Sequence, residues 1–260
     1  MDLKLYQVDA FTDRAFGGNP AAVVPLREWL PAATMQAVAQ ENNLSETAFV
    51  VPRENGDFDL RWFTPAVEVD LCGHATLGAA WVLFNRLGHT GDAVTFHTRS
   101  GPLKVSREDS RLAMDFPAQP PVPGGAGDIA GALGTTPEAA LRGPYALAVL
   151  RDEAAVRTVR PDLTRVADLD LPGLVVTAPG RNCDFVSRFF APGLGINEDP
   201  VTGSAHCILI PYWAERFGKT EMFARQVSAR GGALWCFLKG DRVLISGEVA
   251  PYMEGTITLD

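Results

Sequence analysis

Two long, almost wholly apolar segments constrain this chain more than any other feature. The first runs from Gly73 to Leu87 within EVDLCGHATLGAAWVLFNRLGH and stops at Gly88, a residue suited to a helix end. The second lies within EDPVTGSAHCILIPYWAERFGKT and stops at Gly218. A helix that is apolar on every side must be buried on every side, so each segment needs its own shell. The two are also in register. Gly73, Ala75, Gly88 and Gly101 return as Gly203, Ala205, Gly218 and Gly231, each 130 positions further on, and Thr98 returns as Ser228. The matches fall on glycines that punctuate the pattern, where backbone geometry restricts residue choice. Short β-type runs follow both helices: AVTFHTRSG, PLKVSRED and RLAMDFP after the first, FARQVSARGG, ALWCFLKGD and RVLISGEV after the second. We read this as an internal duplication rather than a chance recurrence of helix-then-hairpins. The fold class is α+β: two pseudo-symmetric β-barrel-like domains, each wrapped around a central apolar helix.

The rest of the chain fits around these segments. LKLYQVDAF is strand-like and FGGNPAAVV is a glycine-rich turn leading into a second strand. Residues 31–42 read as a helix, with Pro31 in its first turn and Met35, Val38 and Ala39 on one face. SETAFVVP and FDLRWFTP read as strands closed by prolines. FPAQPPVPGGAG, near 116–127, is the best linker, which divides the chain into domains 1–117 and 118–260, with a C-terminal strand able to cross back to the first. Beyond the linker, LGTTPEAALRG reads as a short helix, and the stretch 118–172 offers no motif.

Composition removes several function classes. With 260 residues the chain is long enough for two ordinary domains. Its net charge is −8 and it has no lysine or arginine run, which argues against a nucleic-acid partner. No stretch approaches a membrane span, and MDLKLYQVDAF lacks the apolar core of a signal peptide. The expectation is therefore a cytoplasmic protein with no membrane partner. Cys72, Cys183, Cys207 and Cys236 form no C-x-x-C pair, so no metal site is expected. Three of them read as small buried hydrophobes and Cys72 stands apart.

Chemistry concentrates at the two helix starts, Gly73-His74-Ala75 and Gly203-Ser204-Ala205. A helix N-terminus offers unpaired N–H groups and a positive dipole end, and glycine admits a ligand close to the backbone. Facing each other across a pseudo-two-fold axis, two such starts would hold a carboxylate and stabilise an enolate-like intermediate. The plainer reading is ordinary capping, by Asp70 and Thr202. Glu46, in NNLSETAFVV, sits beside an apolar strand, where a carboxylate suits acid/base work; the alternative is a solvated loop residue. His74 is a proton shuttle or a hydrogen-bonded structural histidine. Asp199 orients a histidine or caps the second helix. Cys72, at a helix start where thiol pKa values can fall, is a base or a packing residue.

Taken as an ordered set, these stretches resemble the PhzF-type phenazine-biosynthesis family, which shares its fold with diaminopimelate epimerase. The resemblance runs through QVDAFTDRAFGGNPAAVV, NNLSETAFV, RWFTPAVEVDLCGHATLGAAWVL, SRFFAPGLGINEDPVTGSAHC, SARGG and ISGEVAPYMEGTI. It implies a diaminopimelate epimerase-like fold, a homodimer, no cofactor, and proton abstraction and return by Glu46, with His74 and Asp199 in the active site. Gly73, Gly203 and Ser204, together with Asn19, would bind a small carboxylate substrate. The epimerase has a cysteine before the glycine at each helix start. Here those positions hold Cys72 and Thr202, which disfavours a two-cysteine racemase. The expected function is a cofactor-independent isomerase moving a proton on a small carboxylate. The alternatives are an amino-acid epimerase or racemase using Cys72, and a non-catalytic small-ligand-binding protein.

Overall fold

The computed structural model describes residues 1–124 and 127–259. They divide into two compact units, Met1–Asp115 with the chain from Ser246 onward, and Phe116–Ile245. The C-terminal strand Val249–Thr258 belongs with the first unit, where it pairs antiparallel with Asp2–Ala10 from Asp2 opposite Thr258 to Ala10 opposite Val249.

In the first unit, Asp2–Ala10 pairs antiparallel with Asn19–Pro25, which pairs parallel with Glu46–Pro52. Glu46–Pro52 then pairs antiparallel with Phe58–Phe63, which meets Ala93–Thr98 in parallel, and Ala93–Thr98 pairs antiparallel with Gly101–Glu108. Each parallel step needs a crossover, and helices supply both, Ala32–Asn42 and Gly73–Asn85. The helix Gly73–Asn85 packs on Asp2–Ala10, Asn19–Pro25 and Glu46–Pro52. Ala75, Leu77, Ala79, Ala80 and Val82 are fully buried there, as all-round apolarity requires. Gly78 marks the closest approach: a Cβ there would lie 2.8 Å from the Val8 Cγ2.

The second unit repeats the order. Ala139–Arg142 and Ala146–Val149 are antiparallel, Ala146–Val149 and Leu174–Pro179 parallel, and Leu174–Pro179 and Phe185–Ala191 antiparallel. Phe185–Ala191 and Glu221–Gln226 are parallel, and Glu221–Gln226 and Gly232–Lys239 antiparallel. The helix Gly203–Phe217 bridges the second parallel step and buries Ile208, Leu209, Ile210 and Trp213. The repeated glycines behave alike at the level of the backbone. Gly88 and Gly218 have φ of 71° and 65°, and Gly101 and Gly231 have φ of 98° and 69°, all in the region that disfavours other residues.

Several sequence expectations need correction. LGTTPEAALRG is not a helix: Ala139–Arg142 is a strand, and the short helix lies earlier, at Ile129–Leu133. Asp128 caps that helix by accepting from the Gly131 N–H at 2.8 Å, and Gly134 ends it. Pairing with Ala146–Val149 outweighs the helical preference of an alanine-rich segment. The first central helix stops at Asn85, not Leu87, because Leu87 and His89 donate back to Val82 and Leu83 in a reversal completed at Gly88. Within the expected linker, Val122 and Pro123 pair with Arg142 and Leu141, while residues 125 and 126 lie outside the described residues. Cys207 and Cys236 are buried as expected, but Cys183 is only partly so. No described helix is long and apolar enough to cross a membrane.

Candidate active site

In the first unit, backbone geometry delivers Glu46 to the end of the sheet. The helix Ala32–Asn42 closes at Asn43, which adopts a left-handed φ of 48° and donates to the Ala39 carbonyl. The chain turns through Leu44 and Ser45, and Glu46 opens the next strand opposite Ala21. Asn19 opens the neighbouring parallel strand, so the two side chains emerge at matching ends. The helix Gly73–Asn85 begins beside them and carries His74 in its first turn.

These residues form a tight cluster. His74 Nε2 lies 3.1 Å from Glu46 Oε2, and both residues are buried, at 6% and 8% exposure. That distance is short, yet neither atom has an aligned hydrogen-bond partner among the described residues, so the contact is an ion-pair approach rather than a directed bond. On the other side of the ring, His74 Nδ1 is 3.2 Å from Asn19 Nδ2 and 3.5 Å from Cys72 Sγ. The Ser45 hydroxyl donates to Asn19 Oδ1 at 3.1 Å. Asp70 does not cap this helix. Cys72 occupies the cap position and makes no side-chain cap, while exposed Asp70 faces Arg99 at 3.6 Å.

The electrostatics separate the groups. Burial works to lower the His74 pKa, but the Cys72 and Glu46 groups beside the ring outweigh it and raise the imidazole above its usual value. Burial, and next the Glu46 charge, push the Cys72 thiol up to about 11. Cys72 is therefore a neutral thiol at neutral pH, and the partner that keeps His74 charged there is Glu46. The thiol pKa does not fall at this helix start, because burial and the Glu46 charge outweigh the lowering influence of His74 and the Ala75 backbone. Glu46, Cys72 and His74 each offer a donor atom within 4.8 Å of one another, close enough for a metal ion.

The start of the second central helix is built around hydrogen bonds of Thr202, Gln226 and Asp199. Thr202 occupies the cap position, but its hydroxyl donates to Asp199 Oδ2 instead of capping the helix. Gln226, almost fully buried, accepts from the Thr202 N–H at 2.9 Å and donates to the Asp199 carbonyl at 2.8 Å. Ser204 Oγ lies 3.0 Å from the Tyr145 hydroxyl, whose pKa burial raises. Gly203 is the first helical residue. His206, one turn on, donates from Nδ1 to the Thr202 carbonyl at 2.8 Å, and burial lowers its pKa to about 4. Sequence reasoning missed Gln226 and Tyr145. Tyr145 lies in the stretch that offered no motif, and Gln226 reads only as a polar residue ending a strand.

A family model described as phenazine biosynthesis-like protein matches residues 8–255. The chain belongs to that family. An uncharacterised isomerase of Pseudomonas aeruginosa is 54% identical over 260 residues, covering all of both chains. The crystal structure of a PhzF-family protein from Enterococcus faecalis superposes with a TM-score of 0.97 at 48% identity over both full chains. A hydroxyproline epimerase from Agrobacterium vitis shares the fold alone, with a TM-score of 0.63 at 10% identity, over all of this chain and 93% of that one. The family, the isomerase relatives and the epimerase-like fold agree, and the chain is an enzyme of the isomerase type.

Proposed function

We propose that this isomerase moves a proton on a small carboxylate substrate, with Glu46 as the group that takes the proton from one carbon and returns it to another. The observation that carries the reading is the Glu46–His74 pair. The carboxylate is buried, sits 3.1 Å from an imidazole ring held positive, and has an oxygen with no aligned partner among the described residues. A buried base with an unoccupied lone pair can accept a proton from carbon without first breaking a strong hydrogen bond.

Gly73, Gly203 and Ser204 are the proposed substrate-holding positions and Asp199 a second polar group of the reaction, on the strength of the family resemblance. No cofactor takes part in this scheme, and the expected assembly is a homodimer. The epimerase alternative through Cys72 loses support because its thiol is neutral near pH 7.

The test is solvent deuterium exchange followed by NMR, with a dihydro-hydroxyanthranilate and a panel of small amino and hydroxy acids in D2O. Wild type should incorporate deuterium at carbon with at least one compound. Glu46→Gln should lose roughly 10³-fold in rate, within the range for a removed acid/base group. Exchange that survives in Glu46→Gln would move the chemistry to another residue.

A further inference from the structure

A proton-moving pair must function with the histidine in more than one proton state, and the residues behind the His74 ring suit that demand. Asn19 is fully buried, with its amide engaged on both sides, by His74 Nδ1 at 3.2 Å and by the Ser45 hydroxyl at 3.1 Å. With the amide nitrogen toward the ring, Asn19 donates to a neutral imidazole whose proton is on Nε2, facing Glu46. A half-turn of the amide leaves the heavy atoms in place and presents Oδ1 to an Nδ1–H, as an imidazolium requires. Ser45 permits both orientations, because a hydroxyl donates to the amide oxygen in one and accepts from the amide nitrogen in the other.

We infer that Asn19, steadied by Ser45, is a positioning residue that keeps the His74 ring in place through both of its proton states, rather than a substrate-binding residue. The inference rests on the acid/base reading of Glu46 and His74. The titratable groups acting on His74 are Cys72 and Glu46, and neither Asn19 nor Ser45 titrates in the working range. Asn19 therefore affects the chemistry through hydrogen-bond direction rather than charge. Its neighbours explain why an amide serves here: a carboxylate in its place could only accept, and an apolar isostere would leave Nδ1 with only the weak Cys72 sulfur contact at 3.5 Å in a buried setting.

Three variants test this, each first checked for native melting behaviour. Asn19→Leu should lower kcat about 10-fold, the cost of one lost hydrogen bond in a buried site, with KM altered less than about 3-fold. Asn19→Asp should fix the imidazolium and shift the basic limb of the pH–rate profile upward. Ser45→Ala should give a smaller kcat loss that Ser45→Thr, which restores the hydroxyl, recovers. Imidazole 15N shifts provide a readout without substrate: in Asn19→Asp, His74 should show two protonated nitrogens to a higher pH than in wild type. A rise in KM with an unchanged pH profile would make Asn19 a substrate contact and overturn the inference. So would unchanged His74 shifts in Asn19→Asp. Failure of wild type to turn over any carboxylate would count against the proposed function, while the 15N comparison would still decide the role of Asn19.

Discussion

The two central helices begin with related sequences, and each brings a buried histidine into its first turns, yet the two rings have opposite chemistry. His74 has the Glu46 carboxylate 3.1 Å from one nitrogen and is held above the usual imidazole pKa. His206 is fully buried, bonds only a carbonyl oxygen through Nδ1, has no partner for Nε2 among the described residues, and is driven down to about 4. Burial alone takes the charge off a histidine; a neighbouring carboxylate restores it. The first helix start therefore carries a protonated histidine and the second a neutral one, within a hydrogen-bonded frame in which Gln226 and Thr202 hold Asp199. The duplication copied the scaffold and left the chemistry different in its two halves.

The largest effect that would break this contrast comes from His74 itself. His74→Ala should lower the rate of proton transfer roughly 10²- to 10³-fold, as removal of an acid/base partner does. His206→Leu should stay within a few-fold of wild type. Equal losses in the two variants, measured by the same deuterium exchange, would erase the distinction.

Stability against pH sharpens it next. The folded pKa of His206 lies below the unfolded value of about 6.5, so its neutral form favours folding above that pH. That contribution should fade as pH falls from about 6.5 to about 4, a total of roughly 3 kcal/mol for a shift of this size. Urea unfolding across this window should show a steeper acid loss in wild type than in His206→Leu. His74 has the reverse sign: its raised pKa favours folding below the unfolded value, and this is lost as pH rises through the folded one.

Gln226→Ala probes the hydrogen-bonded frame. It leaves the Thr202 N–H and the Asp199 carbonyl without their partner in a buried site, and should cost about 2 kcal/mol in the same unfolding assay. The smallest effect is assigned to Cys72. With its thiol neutral, Cys72→Ser should keep the exchange rate within about 10-fold, whereas a loss of 10³-fold or more would revive a thiolate mechanism.

Much of this architecture was legible in the sequence, for physical reasons. Gly88, Gly101, Gly218 and Gly231 stand out because only glycine adopts their φ cheaply, and the apolar helices stand out because nothing about them faces water. Glu46 and His74 were visible as residue types in suggestive places, and the family resemblance added their roles. Their 28-residue separation in the chain, against 3.1 Å in space, is a product of strand pairing that no local pattern encodes. The same applies to Tyr145 beside Ser204, 59 positions apart, and to Gln226 beside Thr202, 24 apart. For Cys72 the sequence leaves base and packing residue open, and the degree of burial, a tertiary quantity, favours the neutral thiol.

The most direct test of the central contrast is a 15N NMR titration of both histidines in wild type and in Glu46→Gln. At pH 7, His74 should show two protonated nitrogens and His206 one, and Glu46→Gln should move His74 alone toward the neutral form. A neutral His74 in wild type at pH 7, or a His74 unaffected by loss of the Glu46 charge, would contradict the account.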